Sequence, residues 1–134
     1  MLCVGVGDTS SNKKATAFAE KYSAGTWSVL HPSTGTMTAF FDVSCPATSY
    51  CVAVGEHGSS PLIEAWNGSH WKWEAFPAPA RPFTDEGLGH VSCVSPALCV
   101  AVGYRHDPAV RYSFRTLALG WNGKSWTFEK TINE

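Results

Sequence analysis

The amino-acid sequence predicts an all-β protein made of three similar repeats of short antiparallel strands. The pentapeptide CVAVG occupies residues 51–55 and returns letter for letter at residues 99–103, and the near copy CVGVG occupies residues 3–7. Successive copies begin 48 residues apart, and a fixed period of this length is typical of repeat architectures. Each copy alternates small and β-branched residues and ends in glycine, which predicts a buried strand closed by a turn.

The second repeat contains four predicted strands, which we call a, b, c and d in chain order. The step Asn67-Gly68 lies between two aromatic-bearing runs, and both residues tolerate positive φ. It therefore predicts a tight hairpin between strands c and d. We place the four strands near residues 41–45, 51–55, 62–66 and 71–76.

The third repeat restates this order, whereas the first repeat is shorter. The third repeat has strands a to d near residues 91–93, 99–103, 117–121 and 126–128. The first repeat has strands b, c and d near residues 3–7, near residues 18–22 and from Trp27, and it has no strand a. We therefore predict eleven strands where three complete repeats would give twelve.

The five cysteines follow the same period and predict two disulfides. Cys45 and Cys51 are six residues apart, as are Cys93 and Cys99, and each pair joins neighbouring strands a and b. Because C-x5-C lacks the C-x2-C grip that is typical of zinc sites, we expect disulfides and neither a metal nor a cofactor. Cys3 aligns with Cys51 and Cys99, so its partner would lie on the missing strand a.

Disulfides persist in oxidising compartments, so the cysteines predict an extracellular or cell-surface protein. The chain as given opens without a signal peptide. Together with the odd cysteine, this leads us to expect that the natural chain begins upstream of Met1. The net charge is −1 and the basic residues are scattered, so no nucleic-acid partner is expected. No apolar run approaches the roughly 20 residues of a membrane span.

The repeat has a recognisable motif. Val43-Ser44-Cys45 is followed by five residues, CVAVG, a short strand ending in Trp-Asn-Gly, and then Trp71, and the same pattern runs from Val91 to Trp126. The motif resembles tandem repeats of exported actinobacterial and related bacterial proteins. The resemblance implies a β-propeller in which each repeat is a four-stranded blade, and it carries no functional residues over to this chain.

We therefore predict one repeat domain over residues 1–134, with a partial blade at residues 1–36 and blades at residues 37–80 and 81–134. Propellers typically close with four to eight blades, so we expect that a homo-oligomer or a longer chain completes the ring. The alternative architecture is a β-trefoil, which also uses three repeats of four short strands.

Loop lengths predict which end of the sheets binds a partner. The a–b linkers have five residues and the c–d turns have four, whereas the b–c loops run 10, 6 and 13 residues. Variable loops on a rigid frame are where binding sites usually lie, and arginine and aromatic residues are enriched at binding hot spots. The longest loop, residues 104–116, supplies the predicted ligand-binding residues Tyr104, Arg105, His106, Asp107, Arg111, Tyr112 and Arg115.

These features favour a non-enzymatic binding module that recognises a glycan or a protein through the variable end. One alternative is a fragment of a propeller glycoside hydrolase, which needs two carboxylates roughly 5–10 Å apart, with Asp85, Glu86 and Asp107 available. Another is a structural repeat without a ligand of its own. Glu20 and Glu64 occupy equivalent positions, but Leu119 fills the third, so we interpret this position as part of a sheet face and predict no catalytic residues.

Overall fold

The computed structural model describes residues 3–12, 14–80, 82–110 and 113–132, which form three antiparallel sheets and no helix. The first sheet contains β1 (Cys3–Ser11), β2 (Lys14–Ser23) and β3 (Thr26–Leu30). The second contains β4 (Thr38–Ala47), β5 (Tyr50–His57), β6 (Ser60–Trp66) and β7 (Trp71–Trp73). The third contains β8 (Thr84–Ser95), β9 (Leu98–His106), β10 (Phe114–Trp121) and β11 (Trp126–Phe128).

The predicted all-β class and strand order are confirmed. Neighbouring strands in each sheet follow chain order, and the sheets do not close into a barrel. In the described part of the chain, the first sheet has three strands and lacks the counterpart of β4 and β8, which are the a strands of the other two. Four-stranded antiparallel hairpin ladders form because each connection is short enough to bring consecutive strands together.

The connections differ in length from the predicted loops. In the first sheet β1 ends at Ser11 and β2 begins at Lys14, and in the second β5 ends at His57 and β6 begins at Ser60. In the third sheet β9 ends at His106 and β10 begins at Phe114, so among the described strands the b–c separation is short in two sheets and long in the third. The predicted lengths of 10, 6 and 13 residues were wrong because the ladders continue into polar sequence. In the first sheet, for example, Asp8 pairs with Ala17 and Ser11 with Lys14. The a–b linkers are equal in length as predicted, but they have two residues, at 48–49 and 96–97, where five were predicted. The c–d turns have the predicted four residues in the second and third sheets, at 67–70 and 122–125, but only two in the first, at 24–25.

Two apolar cores lie between the sheets, so the second sheet is covered on both faces. Cys51 and Ala53 pack with residues of the first sheet, such as Ala19. Val52 and Val54 pack with residues of the third sheet. All five residues of the CVAVG copy at residues 51–55 are therefore buried. A strand buries every residue only when both of its faces are covered.

The predicted disulfides are confirmed. Cys45 bonds to Cys51 and Cys93 bonds to Cys99, and in both pairs the Cα atoms are 4.0 Å apart. Each bond closes a strand a to strand b hairpin at its two-residue turn. Cys3 is exposed and unpaired. Two structural disulfides are typical of an oxidising environment.

Side chains of β4 also hold β8 beside it. The Asp42 carboxylate accepts a hydrogen bond from the Val91 amide at 2.9 Å. The Ser44 hydroxyl accepts one from the Cys93 amide, also at 2.9 Å. These bonds satisfy amides of β8 that the ladder with β9 leaves unpaired, so the two a strands are held side by side by polar contacts in addition to the apolar core.

Candidate functional site

The predicted ligand-binding residues lie at the end of the third sheet where β9 connects to β10. Tyr104, Arg105 and His106 are the last residues of β9, and Arg115 is in β10. Asp107 begins the connection between them. Arg111 and Tyr112, which were also predicted to bind, lie outside the described residues. The structure thus places four of the predicted loop residues on paired strands, which fixes their positions.

Arg105 is buried beneath this end of the sheet. Its guanidinium lies 4.5 Å from the ring centroid of Phe83 and 4.6 Å from that of Phe128, so two aromatic faces stabilise the cation. Its Nε is 3.7 Å from Oε1 of Glu86. Burial raises the pKa of the Glu86 carboxyl, and the Arg105 charge opposes that shift. Arg105 therefore supports the site from below and stands away from solvent.

A second ion pair fixes the root of the β9–β10 connection. Asp107 is buried, and its Oδ2 lies 3.1 Å from Nε of Arg115. The other carboxylate oxygen accepts a hydrogen bond from the Ala109 amide at 3.0 Å. The Asp107 amide donates to the carbonyl of Ser113 at 3.1 Å. Charge-assisted bonds of this kind hold a loop more firmly than neutral ones, so the connection leaves the sheet in a fixed direction.

Three rings form a cluster on these strands, which we call the aromatic platform: the half-buried Tyr104 and His106 and the exposed Phe114. The Phe114 ring is 60% exposed. Its centroid lies 5.8 Å from that of Tyr104 and 5.4 Å from that of His106, both in edge-to-face arrangements. His106 Nδ1 is also 3.0 Å from the Thr84 hydroxyl, which orients the imidazole. Phe114 was missed as a site residue, although its pairing opposite His106 follows once the ladder is extended.

Acidic side chains from all three sheets converge beside the platform. The 48-residue period makes Asp8, Glu56 and Tyr104 equivalent, and each follows the glycine of its pentapeptide. Burial raises the pKa of Glu56, and the negative charges of Asp85 and Asp8 raise it further. Burial also raises the pKa of Tyr104, with the charges of Asp85 and Glu56 and a hydrogen bond to Asp85 adding to the shift. Sequence reasoning named Asp85 but missed Asp8 and Glu56.

Two of the three acids named for the hydrolase alternative lie against arginine side chains. Glu86 faces Arg105 and Asp107 faces Arg115, so two of the three candidate carboxylates are each neutralised by a guanidinium. In the described ranges, no group of three or more His, Cys, Asp or Glu side chains could hold a metal ion. This end of the third sheet therefore presents the exposed Phe114 ring beside a group of acidic side chains.

Comparison with known proteins adds no family. The sequence matches no protein-family model and no curated protein. The described residues also contain no helix of the length and apolar character needed to cross a membrane.

Replacing Glu56 with glutamine is expected to stabilise the protein at neutral pH. Because the pKa of Glu56 is raised in the folded state, its ionised form opposes folding, and this penalty is complete above the folded-state pKa. It disappears as the pH falls below the ordinary glutamate pKa of about 4.3. Thermal unfolding should show a Tm raised by about 2 °C at neutral pH and an unchanged Tm in acid.

Asp8→Asn is the matched variant, since it removes one of the two charges that repel Glu56. It should raise Tm in the same direction by a smaller amount. A Glu56→Gln effect that is equal at neutral and acid pH would show that packing rather than charge is responsible.

Proposed function

We propose that this chain is a non-enzymatic binding module of propeller-type blades that recognises a glycan or a protein through the aromatic platform. The observation that carries the proposal is the Phe114 ring, which is exposed and yet held between two other rings on paired strands. An exposed aromatic ring leaves apolar surface in water, and a ring held in place by neighbouring rings is a surface on which a partner can stack.

The support beneath the platform favours binding. The Arg115–Asp107 hydrogen bond fixes the connection, and the Arg105 guanidinium is held between the Phe83 and Phe128 rings, before any ligand arrives. A preorganised site loses little conformational entropy on binding, so more of the contact energy appears as affinity. Sugar rings present flat C–H faces to aromatic side chains, and nearby acids accept hydrogen bonds from their hydroxyls, which makes a neutral or basic glycan the first ligand class to test.

The blade assignment rests on three features of the chain. The three sheets follow one strand order, they pack face to face in succession, and the motif resembles repeats of exported propeller-like proteins. The two disulfides support an extracellular or cell-surface location. Further blades, from a second copy or from a longer chain, would complete a ring of four to eight.

A glycan-array screen followed by titration calorimetry tests the proposal. Phe114→Ala should weaken binding of the best glycan at least about fivefold, since truncating a central aromatic contact costs more than about 1 kcal/mol. Phe41→Ala is the matched control, because Phe41 is also an exposed ring but lies on β4. A Phe114 variant that binds like the wild type would remove the platform as the site. If the wild type binds no glycan, a pull-down with the same variants tests the protein-ligand arm.

A further inference from the structure

Two copies of one pentapeptide have different surroundings. Val52 and Val54 in β5 are fully buried against the third sheet, but their equivalents in β9, Val100 and Val102, are 46% and 39% exposed. The sequence of the two segments is identical, so the difference lies only in what covers them. In the second sheet this face is covered by the third sheet. In the third sheet the corresponding face is uncovered.

This uncovered face is apolar and continuous. We call it the valine face, and it consists of Val94, Leu98, Val100 and Val102, all exposed, with Ser92 beside them. A shallow groove of about 330 Å³ runs over it between Val94, Leu98 and Val100. Ser92 is the equivalent of Ser44, whose hydroxyl accepts a hydrogen bond from the next sheet, so the valine face repeats polar as well as apolar features of a covered face.

The first sheet also has an uncovered face, and it corresponds to the other face of the repeat. Cys3, Tyr22 and Trp27 form one cross-strand row, which we call the tryptophan face. The equivalent row in the second sheet consists of Cys51, Trp66 and Trp71, which correspond in turn to Cys3, Tyr22 and Trp27. That row is buried against the first sheet, whereas Trp27 is 57% exposed. The ring pair is preserved, with centroids 5.3 Å apart in the first sheet and 5.9 Å apart in the second.

We propose that the valine face of one copy of this chain docks on the tryptophan face of a second copy. The contact repeats the one that already joins successive sheets, in which a valine row packs toward the cysteine and tryptophan row of its neighbour. The interface is heterologous, because two different surfaces meet, and such interfaces either close into rings or grow into filaments.

The number of sheets in one chain favours an assembly of two copies. One copy has three sheets, two have six and three have nine, and only six lies within the four to eight blades of typical propellers. The inference rests on the proposed blade arrangement. The unbroken pairing of β9 with β10 places Tyr104 and His106 on the same face as Val100 and Val102, so the docked copy would lie beside the aromatic platform. The particle mass tests the docking proposal, and glycan binding tests the ligand proposal. The failure of one can therefore be distinguished from the failure of the other.

Light scattering and sedimentation of the intact chain under non-reducing conditions test the proposal. The expected mass is twice the 14.5 kDa of one chain. Val100→Asp should convert the dimer to a monomer, since it places a charge in the apolar contact. Val110→Asp is the control, because Val110 is 45% exposed but lies in the β9–β10 connection, and this variant should remain dimeric. A wild type that is monomeric at every concentration, or that forms larger assemblies only, would overturn the proposal.

Mixing two variants distinguishes a head-to-tail contact from a symmetric one. Trp27→Asp alone should also be monomeric, and both variants should keep the wild-type circular dichroism spectrum because the altered side chains are exposed. A mixture of Val100→Asp and Trp27→Asp retains one intact valine face and one intact tryptophan face, so it should form heterodimers that dissociate more readily than the wild type. A mixture that stays monomeric would indicate like-to-like contacts and contradict the head-to-tail arrangement.

Discussion

Gly55→Ala should lower the free energy of unfolding by about 3 kcal/mol, a large loss for a single methyl group. A Cβ atom at this position would lie 1.9 Å from the carbonyl oxygen of Ala39, and backbone atoms cannot move aside as a flexible side chain can. The pairing register between β4 and β5 shifts between Phe40 and Asp42, and this bulge brings the Ala39 carbonyl onto the glycine.

Gly103→Ala should behave in the same way, since its Cβ would lie 1.9 Å from the Gly87 carbonyl oxygen at the corresponding bulge in the third sheet. Gly7→Ala is the matched control. Within the described residues the first sheet has no strand a, and the nearest atom to the new Cβ is a carbon of the Phe18 ring at 3.0 Å. We expect its cost to stay below about 1 kcal/mol, measured by urea unfolding of all three variants. Equal losses in all three would contradict the bulge explanation.

These glycines also show where the sequence prediction was wrong. The glycine that ends each pentapeptide was interpreted as the turn that closes a strand. The structure instead places Gly55 and Gly103 inside β5 and β9, opposite a bulge, where only the absence of a side chain permits the close approach of the neighbouring strand. The pattern indicates that a glycine is required, but whether a turn or a bulge requires it depends on the partner strand.

Local features were predictable from the sequence. Hairpin turns, the strand order and the Cys45–Cys51 and Cys93–Cys99 bonds all depend on residues that are close together in the chain. The covering of the sheet faces was not predictable, because it depends on which sheets stack. The identical pentapeptides at residues 51–55 and 99–103 illustrate this limit, since one is buried on both faces and the other on one.

The candidate site was predicted in position but only partly in detail. The longest connection does lie in the third sheet, and Tyr104 and His106 do lie at its root. The sequence could not predict whether each arginine is buried or exposed. An arginine near a strand end gives the same sequence pattern whether it faces solvent or stacks between two phenylalanine rings, as Arg105 does. The convergence of Asp8, Glu56 and Asp85 also required the stacking of three sheets, although the 48-residue period gave a signal for two of them.

Glu64→Leu should destabilise the protein by about 3 kcal/mol, although leucine occupies the equivalent position 119 in the third repeat. The Glu64 side chain is fully buried. Its Oε2 accepts a hydrogen bond from the Ser33 amide at 2.8 Å. Its Oε1 accepts bonds from the Thr34 amide at 3.1 Å and the Thr34 hydroxyl at 2.8 Å. Leucine would remove the acceptor of all three bonds in the segment that connects the first two sheets, where Thr34 is half-buried and Ser33 is exposed. Because water can replace part of the lost bonding, we expect a net loss close to that of one or two bonds to a charged acceptor, about 1.5–3 kcal/mol each.

Glu64→Gln separates hydrogen bonding from packing. The amide keeps one acceptor oxygen for Thr34 but places an NH2 group against the Ser33 amide, so we expect an intermediate loss of about 1–2 kcal/mol in urea unfolding. Thr34→Val, introduced into the wild type and into Glu64→Leu, completes a double-mutant cycle. The loss of stability caused by Thr34→Val should be smaller in the Glu64→Leu protein, because the Thr34 hydroxyl has already lost its acceptor there. Costs that add independently would show that the Thr34 hydroxyl does not depend on Glu64. The leucine at 119 is tolerated because it packs in the apolar core between the second and third sheets, so the same strand position serves either as an acceptor for a connection or as part of a core.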